Sequence, residues 1–294
     1  MRVPRRRLLL AIITMVLAVT TLAALLRPLR QAGGFVVPNA AEARDAQALF
    51  GAALAGNWLG QTPPQLGSDA KQLGLAVARV DAPDGLALTE AEDDCAGRGA
   101  YLLRKGSDLS PVALVAPHRG ADRHTGTIVQ LLMAEHRFGA AAWNSAPRRA
   151  SAACPHAGDV AREPTHYITA FSLAFAHQYP RGRIVQIHGF DGKNRQSLDA
   201  GKADFILGDG TANPPRILRD VADCLIREFP DRPVRVYGID SDELGATTNR
   251  QGRALRRAGF AGFTHIEISP GMREQLVGDR AVRARFAACL EAGL

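Results

Sequence analysis

From residue 73 onward the chain alternates short apolar runs of strand length with amphipathic stretches of helix length, and this alternation constrains its fold more than any other feature. Residues 112–117 (VALVAP), 183–188 (RIVQIH), 204–207, 234–237 and 263–268 (FTHIEI) read as strands, with 73–80 and 140–144 as two more. Helical patterns fall at 125–138, 165–178, 215–229 and 248–258, and a helical tail runs from 270 to 292. Pro215 and Pro270 stand at helix starts, where proline is tolerated. Strands that alternate with helices form a sheet covered on both faces, and short continuous apolar strands fit such burial. The expected fold is therefore α/β: a three-layer α/β/α domain over residues 45–294 with a mixed, mostly parallel central sheet. A short Ala-rich helix at 45–56 and a loop at 57–72 precede the first strand. Residues 82–106, with the acidic run 90–94, read as a loop-rich excursion.

The sequence ahead of this domain is of another kind. Residues 1–30 contain Arg2, Arg5, Arg6, Arg7, Arg27 and Arg30 and no acid, around an apolar run at 8–26 whose only polar residues are threonines. About 20 helical residues cross the ~30 Å hydrocarbon core of a bilayer. The leading arginines orient such a segment with its N-terminus inside and the domain outside. Arg27-Pro28-Leu29-Arg30 is a poor cleavage site. Residues 1–30 thus read as a signal anchor, with a cleaved signal peptide as the alternative, and 31–44 as a tether. The expected location is the membrane, with the domain outside the cytoplasm: periplasmic in a bacterium, secreted if the segment is cleaved.

The net charge of +7 belongs largely to this segment. Without its six arginines, 30 basic residues face 29 acidic ones, so no nucleic-acid partner is expected. Four cysteines (Cys95, Cys154, Cys224, Cys289) lack zinc-finger spacing and allow two disulfides in an oxidising compartment. Cys224 and Cys289 lie on helical patterns and pair if those helices are neighbours.

In open α/β sheets ligands bind at the carboxyl ends of the strands. The run 112–117 leads into His118-Arg119-Gly120-Ala121-Asp122-Arg123-His124, the run 183–187 into His188-Gly189-Phe190-Asp191, and the run 263–268 carries Glu267. A hydrolytic zinc site takes three His or carboxylate ligands and leaves a position for water, whose proton a nearby carboxylate accepts. His118, Asp122 and His188 form such a ligand set, with His124 as an alternative to Asp122; Glu267 is the candidate general base, and one zinc ion per chain is expected. Glu267 interrupts an apolar strand, where an ionised carboxylate is costly unless paired or metal-linked. His265 shares its parity.

Plainer roles are open to the same residues. Asp122 can cap the helix that begins near Thr125, and Glu267 can pair with Arg273. Asn249 and Arg250, at a helix start, suit a substrate carboxylate, but a helix cap by Thr247 or Thr248 accounts for that stretch as well. Arg119 and Arg123 flank the proposed ligands and are candidate oxyanion-stabilising groups. Neither a GxSxG elbow nor a phosphate loop is present.

The order of a His with a nearby carboxylate, a later His after a strand and a late Glu resembles the zinc carboxypeptidases. It is more similar still to the N-formylglutamate amidohydrolase-like and poly-γ-glutamate hydrolase-like proteins. The resemblance covers residues 110–275 and rests on PHRGADRHTG (117–126), VQIHGFD (185–191), ELGATTNRQG (243–252) and THIEIS (264–269). It implies a phosphorylase/hydrolase-like mixed sheet with helices on both sides. His118 would be the first zinc ligand, His188 the other His ligand and Glu267 the catalytic carboxylate. The implied activity is a metal-dependent amidohydrolase or peptidase acting on a small amide, acyl-amino-acid or peptide. One departure stands out: carboxypeptidases carry a glutamate three residues after the first ligand His, where this chain has Ala121, and Asp122 lies one position further on. That departure favours the alternative reading, a non-catalytic membrane-tethered domain of the same fold that binds a peptide or cell-wall ligand.

Overall fold

The computed structural model describes residues 34–56, 63–81, 84–91 and 95–294. The run at 8–26, and with it the anchor or signal reading, lies outside the described residues. Among the described residues no helix is long and apolar enough to cross a membrane.

One nine-stranded mixed sheet, in the order β1-β2-β3-β5-β4-β6-β9-β7-β8, organises the chain. Its strands are β1 (Leu75–Asp81), β2 (Asp84–Glu90), β3 (Ala100–Arg104), β4 (Ser110–Ala116), β5 (Phe138–Trp143), β6 (Arg183–Gly189), β7 (Phe205–Gly208), β8 (Val234–Val236) and β9 (Phe263–Ile268). The parallel strands β5, β4, β6 and β9 form the centre. Antiparallel pairings flank them, through β1, β2 and β3 on one side and between β9 and β7 on the other. The sheet is therefore mixed, as expected, but only four of its eight pairings are parallel, the fourth being β7 with β8 at the edge, so it is not mostly parallel. The difference comes from residues 82–106, which supply β2 and β3 instead of a loop. Their core-facing residues Leu86, Leu88, Tyr101 and Leu103 are buried, while Ala87, Thr89, Ala100 and Leu102 between or beside them are only partly buried or exposed. Half-buried antiparallel strands carry a diluted apolar signal of this sort.

Helices cover both faces. Along β4, Ala113 and Val115 face a core shared with α1 (Ala40–Ala55), α2 (Pro64–Gln72), α4 (Tyr167–Gln178) and α7 (Arg250–Arg257). Val112, Leu114 and Ala116 face the opposite core, built with α3 (Thr125–Glu135), α6 (Arg216–Glu228), α8 (Pro270–Gly278) and α9 (Arg280–Leu290). A short helix, α5 (Leu198–Lys202), precedes β7. Helix α1 starts earlier than residue 45 because Asn39 closes a capping box with Glu42: its side chain accepts from Ala41 N and Glu42 N, and Glu42 Oε2 accepts from Asn39 N at 2.8 Å. The segment 57–72, read as loop, contains α2, which begins at Pro64. The C-terminal tail is two helices rather than one. Asp279 ends α8 and caps α9, accepting from Ala281 N and Val282 N. Disulfides join Cys95 to Cys154 and, between α6 and α9, Cys224 to Cys289.

The arrangement of β4, β6 and β9 positions the site. On the face turned to α4 and α7, β6 presents Ile184, Gln186 and His188, and β9 presents Phe263, His265 and Glu267. In register these are Ile184 beside Phe263, Gln186 beside His265, and His188 beside Glu267. The apolar residues lie at the amino ends of the strands, within the core, and the polar ones at the carboxyl ends.

Candidate metal centre

After β4 the chain turns sharply. Asp122 N donates to His118 O at 2.9 Å, and Asp122 O accepts from Thr125 N and Thr125 Oγ1. The turn brings His118 Nδ1 to 3.3 Å from Asp122 Oδ2, close but without hydrogen-bond alignment. The end of β6 approaches the same oxygen, with His188 Nδ1 and Gly189 N each 3.2 Å from Asp122 Oδ2. The Asp122 carboxylate is thus turned toward β6 and does not cap α3. The far nitrogens of both rings are held: His118 Nε2 lies 2.8 Å from Asp159 Oδ1 and His188 Nε2 3.1 Å from Gln186 Oε1. All three residues are buried.

This donor set fits a divalent cation. Ligand atoms of His118, Asp122 and His188 lie within 4.8 Å of one another. A neutral imidazole carries a single N–H, yet each of these rings stands between two acceptors, one at Nε2 and Asp122 at Nδ1. A cation between the two Nδ1 atoms and Asp122 leaves each N–H for the far acceptor, which is how metal-ligating histidines are usually oriented. His188, His265 and Glu267 form a second group of possible ligands, but His188 has its two nitrogens directed to Asp122 and Gln186.

The ionisation of these groups follows from burial and charge. Burial works against ionisation of Asp122, but the approach of His118 and His188 outweighs it and holds the carboxyl well below the usual carboxylate range. Burial lowers the His118 pKa, but Asp122 and Asp159 together raise it. Burial pushes His188 down, and His265 further. Glu267 is pushed up to about 8, first by burial and then by the Asp122 charge. Its Oε1 lies 3.7 Å from His265 Nε2, and Oε2 is buried without a hydrogen-bond partner. Arg273, a candidate partner for Glu267, instead donates to the carbonyls of Ile268, Phe190 and Arg123.

A cleft of about 270 Å³ opens onto His118, Asp122, His188 and Glu267. One wall is the segment 244–249, in which Leu244 and Ala246 both have positive φ. The other carries Arg148 and Asp159, with Arg148 Nη2 2.9 Å from Asp159 Oδ2 and Nη1 3.8 Å from Asp122 Oδ1.

Several sequence candidates lie elsewhere. His124 sits at the N-terminus of α3 with φ 74° and belongs to neither ligand group, because the turn that aims Asp122 inward carries it past the centre. Arg119, Arg123 and Arg250 are exposed and do not line the cleft. Arg123 pairs with Glu274 at 3.7 Å. Asn249 reaches the cleft wall, but its side chain caps α7 by accepting from Gly252 N at 2.9 Å. Arg148 and Asp159 escape sequence reasoning because they lie in a long segment between β5 and α4 with no periodicity. Gln186 had a legible signal, a polar residue inside RIVQIH at the parity of His188.

No family model and no curated protein matches the chain. Among solved structures, the zinc-free apo form of YndL is similar at 16% identity and a TM-score of 0.38, over 66% of this chain and 87% of that one. A metallo-carboxypeptidase from Burkholderia cenocepacia is similar at 11% identity and a TM-score of 0.38, over 76% of this chain and 66% of that one. The chemistry available to this site rests on its own geometry.

Proposed function

We propose that the chain is an exported, zinc-dependent hydrolase of an amide or peptide bond, tethered to the membrane through residues 8–26 with its domain outside the cytoplasm. The observation that carries the reading is the buried meeting of His118, Asp122 and His188, each imidazole backed by an acceptor on its far nitrogen, beside the Glu267 carboxylate, whose Oε2 has no hydrogen-bond partner. Two disulfides support the location, since such bonds persist mainly in oxidising compartments.

His118, Asp122 and His188 would hold the metal. A bound zinc ion supplies Lewis acidity and lowers the pKa of a coordinated water. Glu267 takes the proton of the attacking water on Oε2 and passes it to the leaving amine. Burial of Glu267 favours the proton-holding form needed for that second transfer and works against the ionised form needed for the first, which the charge of a bound cation would restore. Asp159 holds the His118 ring, and Arg148 holds Asp159. The segment 244–249 forms one wall of the cleft and places Thr247 and Thr248 on its lining. A short peptide or acyl-amino-acid matches a cleft of this size.

The test combines metal content with turnover. The full chain should hold about one zinc and cleave members of a panel of N-acyl-amino-acid and peptide amides. Glu267→Gln should retain the metal while turnover drops roughly 10²–10⁴-fold, the usual weight of a general acid–base. A metal-free, folded chain after zinc supplementation would leave the non-catalytic binding domain as the better account.

A further inference from the structure

Three amide side chains beneath the metal centre form a directed hydrogen-bond chain that the reaction itself does not use. Gln186, Asn249 and Gln251 are all buried. Gln251 Nε2 donates to Val160 O and to Thr169 Oγ1, each at 2.8 Å. A carbonyl can only accept, so the NH₂ end of Gln251 is fixed there and its Oε1 must face Gln186, whose Nε2 donates to it at 3.4 Å. Gln186 Oε1 is therefore directed at Asn249 and His188. The same polarity follows from the other end. Asn249 Oδ1 caps α7 by accepting from Gly252 N, so its Nδ2 donates to Gln186 Oε1. Two backbone groups far apart in sequence thus agree on one orientation for Gln186. Gln186 Oε1 and Asp122 Oδ2 compete for the one imidazole proton of His188, at Nε2 and Nδ1 respectively; a cation held by Asp122 would leave the proton to Gln186 and the Nδ1 lone pair to the metal.

We propose that Gln186, oriented by Asn249 and Gln251, is a positioning residue that sets the tautomer of His188 and so prepares Nδ1 as a metal ligand. The inference rests on the metal-centre reading above. It gives Asn249 a role through Gln186 rather than on substrate. It also connects the two histidine ligands, because Val160, where the chain of amides ends, adjoins Asp159, the partner of His118.

Three variants of the full chain test this. Gln186→Leu removes the acceptor and should weaken zinc binding roughly 10–100-fold, the usual effect of losing an outer partner of a ligand histidine. Gln186→Glu keeps an acceptor oxygen and should recover most of that loss. Asn249→Asp preserves the cap on Gly252 N but turns a donor into a charged acceptor. Its carboxylate then opposes Gln186 Oε1, and a Gln186 amide turned over to avoid it meets the fixed Gln251 Oε1, so in either orientation the hold on His188 Nε2 weakens. Zinc affinity is read by competition with a chromophoric chelator. The His188 tautomer is read in the metal-free chain from long-range ¹H–¹⁵N correlations. We expect a larger Nε2–H share in the wild type than in Gln186→Leu, where Asp122 is left as the facing acceptor, and weaker zinc binding in both Asn249→Asp and Gln186→Leu. Wild-type zinc affinity in a folded Gln186→Leu chain, or the same tautomer shares in wild type and Gln186→Leu, overturns the proposal. If the wild type binds no zinc, the metal reading fails on that result alone, and the tautomer comparison still decides the role of Gln186.

Discussion

Asp122 and Asp159 are both carboxylates in contact with His118, but they stand in different relations to the centre. Asp122 is buried and shared between the Nδ1 sides of two imidazoles, whereas Asp159 touches only the far nitrogen of one and is partly open to solvent beside Arg148. On the proposed reading, removing the Asp122 charge would take away a metal bond, whereas removing Asp159 would only loosen a ring. Asp159→Asn should therefore lower zinc affinity by roughly 10–100-fold, and Asp122→Asn should lower it further, in the same chelator competition. The reverse order would mean that Asp122 is a structural bridge between the β4 turn and β6, with no place among the ligands. Glu267→Gln belongs to the same scale, since it changes one proton-carrying oxygen and leaves the ligands untouched.

Among the elements, α4 has an unusual start. Its cap is His166, whose Nδ1 accepts from Ile168 N at 3.1 Å while Nε2 lies 2.6 Å from Gly97 O. Both bonds are satisfied only by the neutral ring with its proton on Nε2. Burial pushes the His166 pKa down to about 4, with the Gly97 bond opposing and Arg98 assisting. The unfolded value is near 6.5, so the unfolded chain binds more protons between these values and stability rises with pH across that window. The contribution is complete above about pH 6.5 and is lost as pH falls toward 4, on the order of 3 kcal/mol at most. His166→Gln reproduces the neutral donor–acceptor pair without titrating. Its urea unfolding free energy should change less than that of the wild type between pH 7 and pH 4.5; equal slopes would remove His166 from the acid response. Helix α4 packs on the sheet face that carries the centre and, through Thr169, on Gln251, so its docking and the order of the site are connected.

Across the whole molecule, the second core is closed by the Cys224–Cys289 disulfide, which spans 65 residues, and by Arg183. The Arg183 guanidinium is fully buried and donates to the carbonyls of Leu290, Ile217 and Ala292. Both tie the C-terminal helix to elements formed earlier in the chain, one through α6 and one through β6. Cross-links that close long loops restrict the unfolded chain most. The pair of changes Cys224→Ala and Cys289→Ala should lower the unfolding free energy by about 2–4 kcal/mol in urea titrations while leaving zinc affinity near the wild-type value. A matching loss of zinc affinity would show that the α6–α9 layer, on the opposite face of the sheet, also supports the ligands.

How much of this was legible in the sequence depended on whether the signal was local. The apolar runs at 112–117, 183–188 and 263–268 determined the central strands, because a strand buried on both faces is mostly apolar and a polar residue in or at the end of it stands out. The same rule drew attention to His118, His188 and Glu267, which end or interrupt those runs. The pairing of Cys224 with Cys289 was conditional on two helices being neighbours, and tertiary packing supplied that condition. Strands β2 and β3 were hidden because half-buried strands alternate weakly. The turn at 118–125 decided which of Asp122 and His124 points inward, through the bonds from Asp122 N to His118 O and from Thr125 N to Asp122 O. Arg148, Asp159 and the orientation of Gln186 rest on contacts between segments dozens of residues apart. Such contacts leave no periodic trace in a single sequence, because chain folding alone brings their partners together.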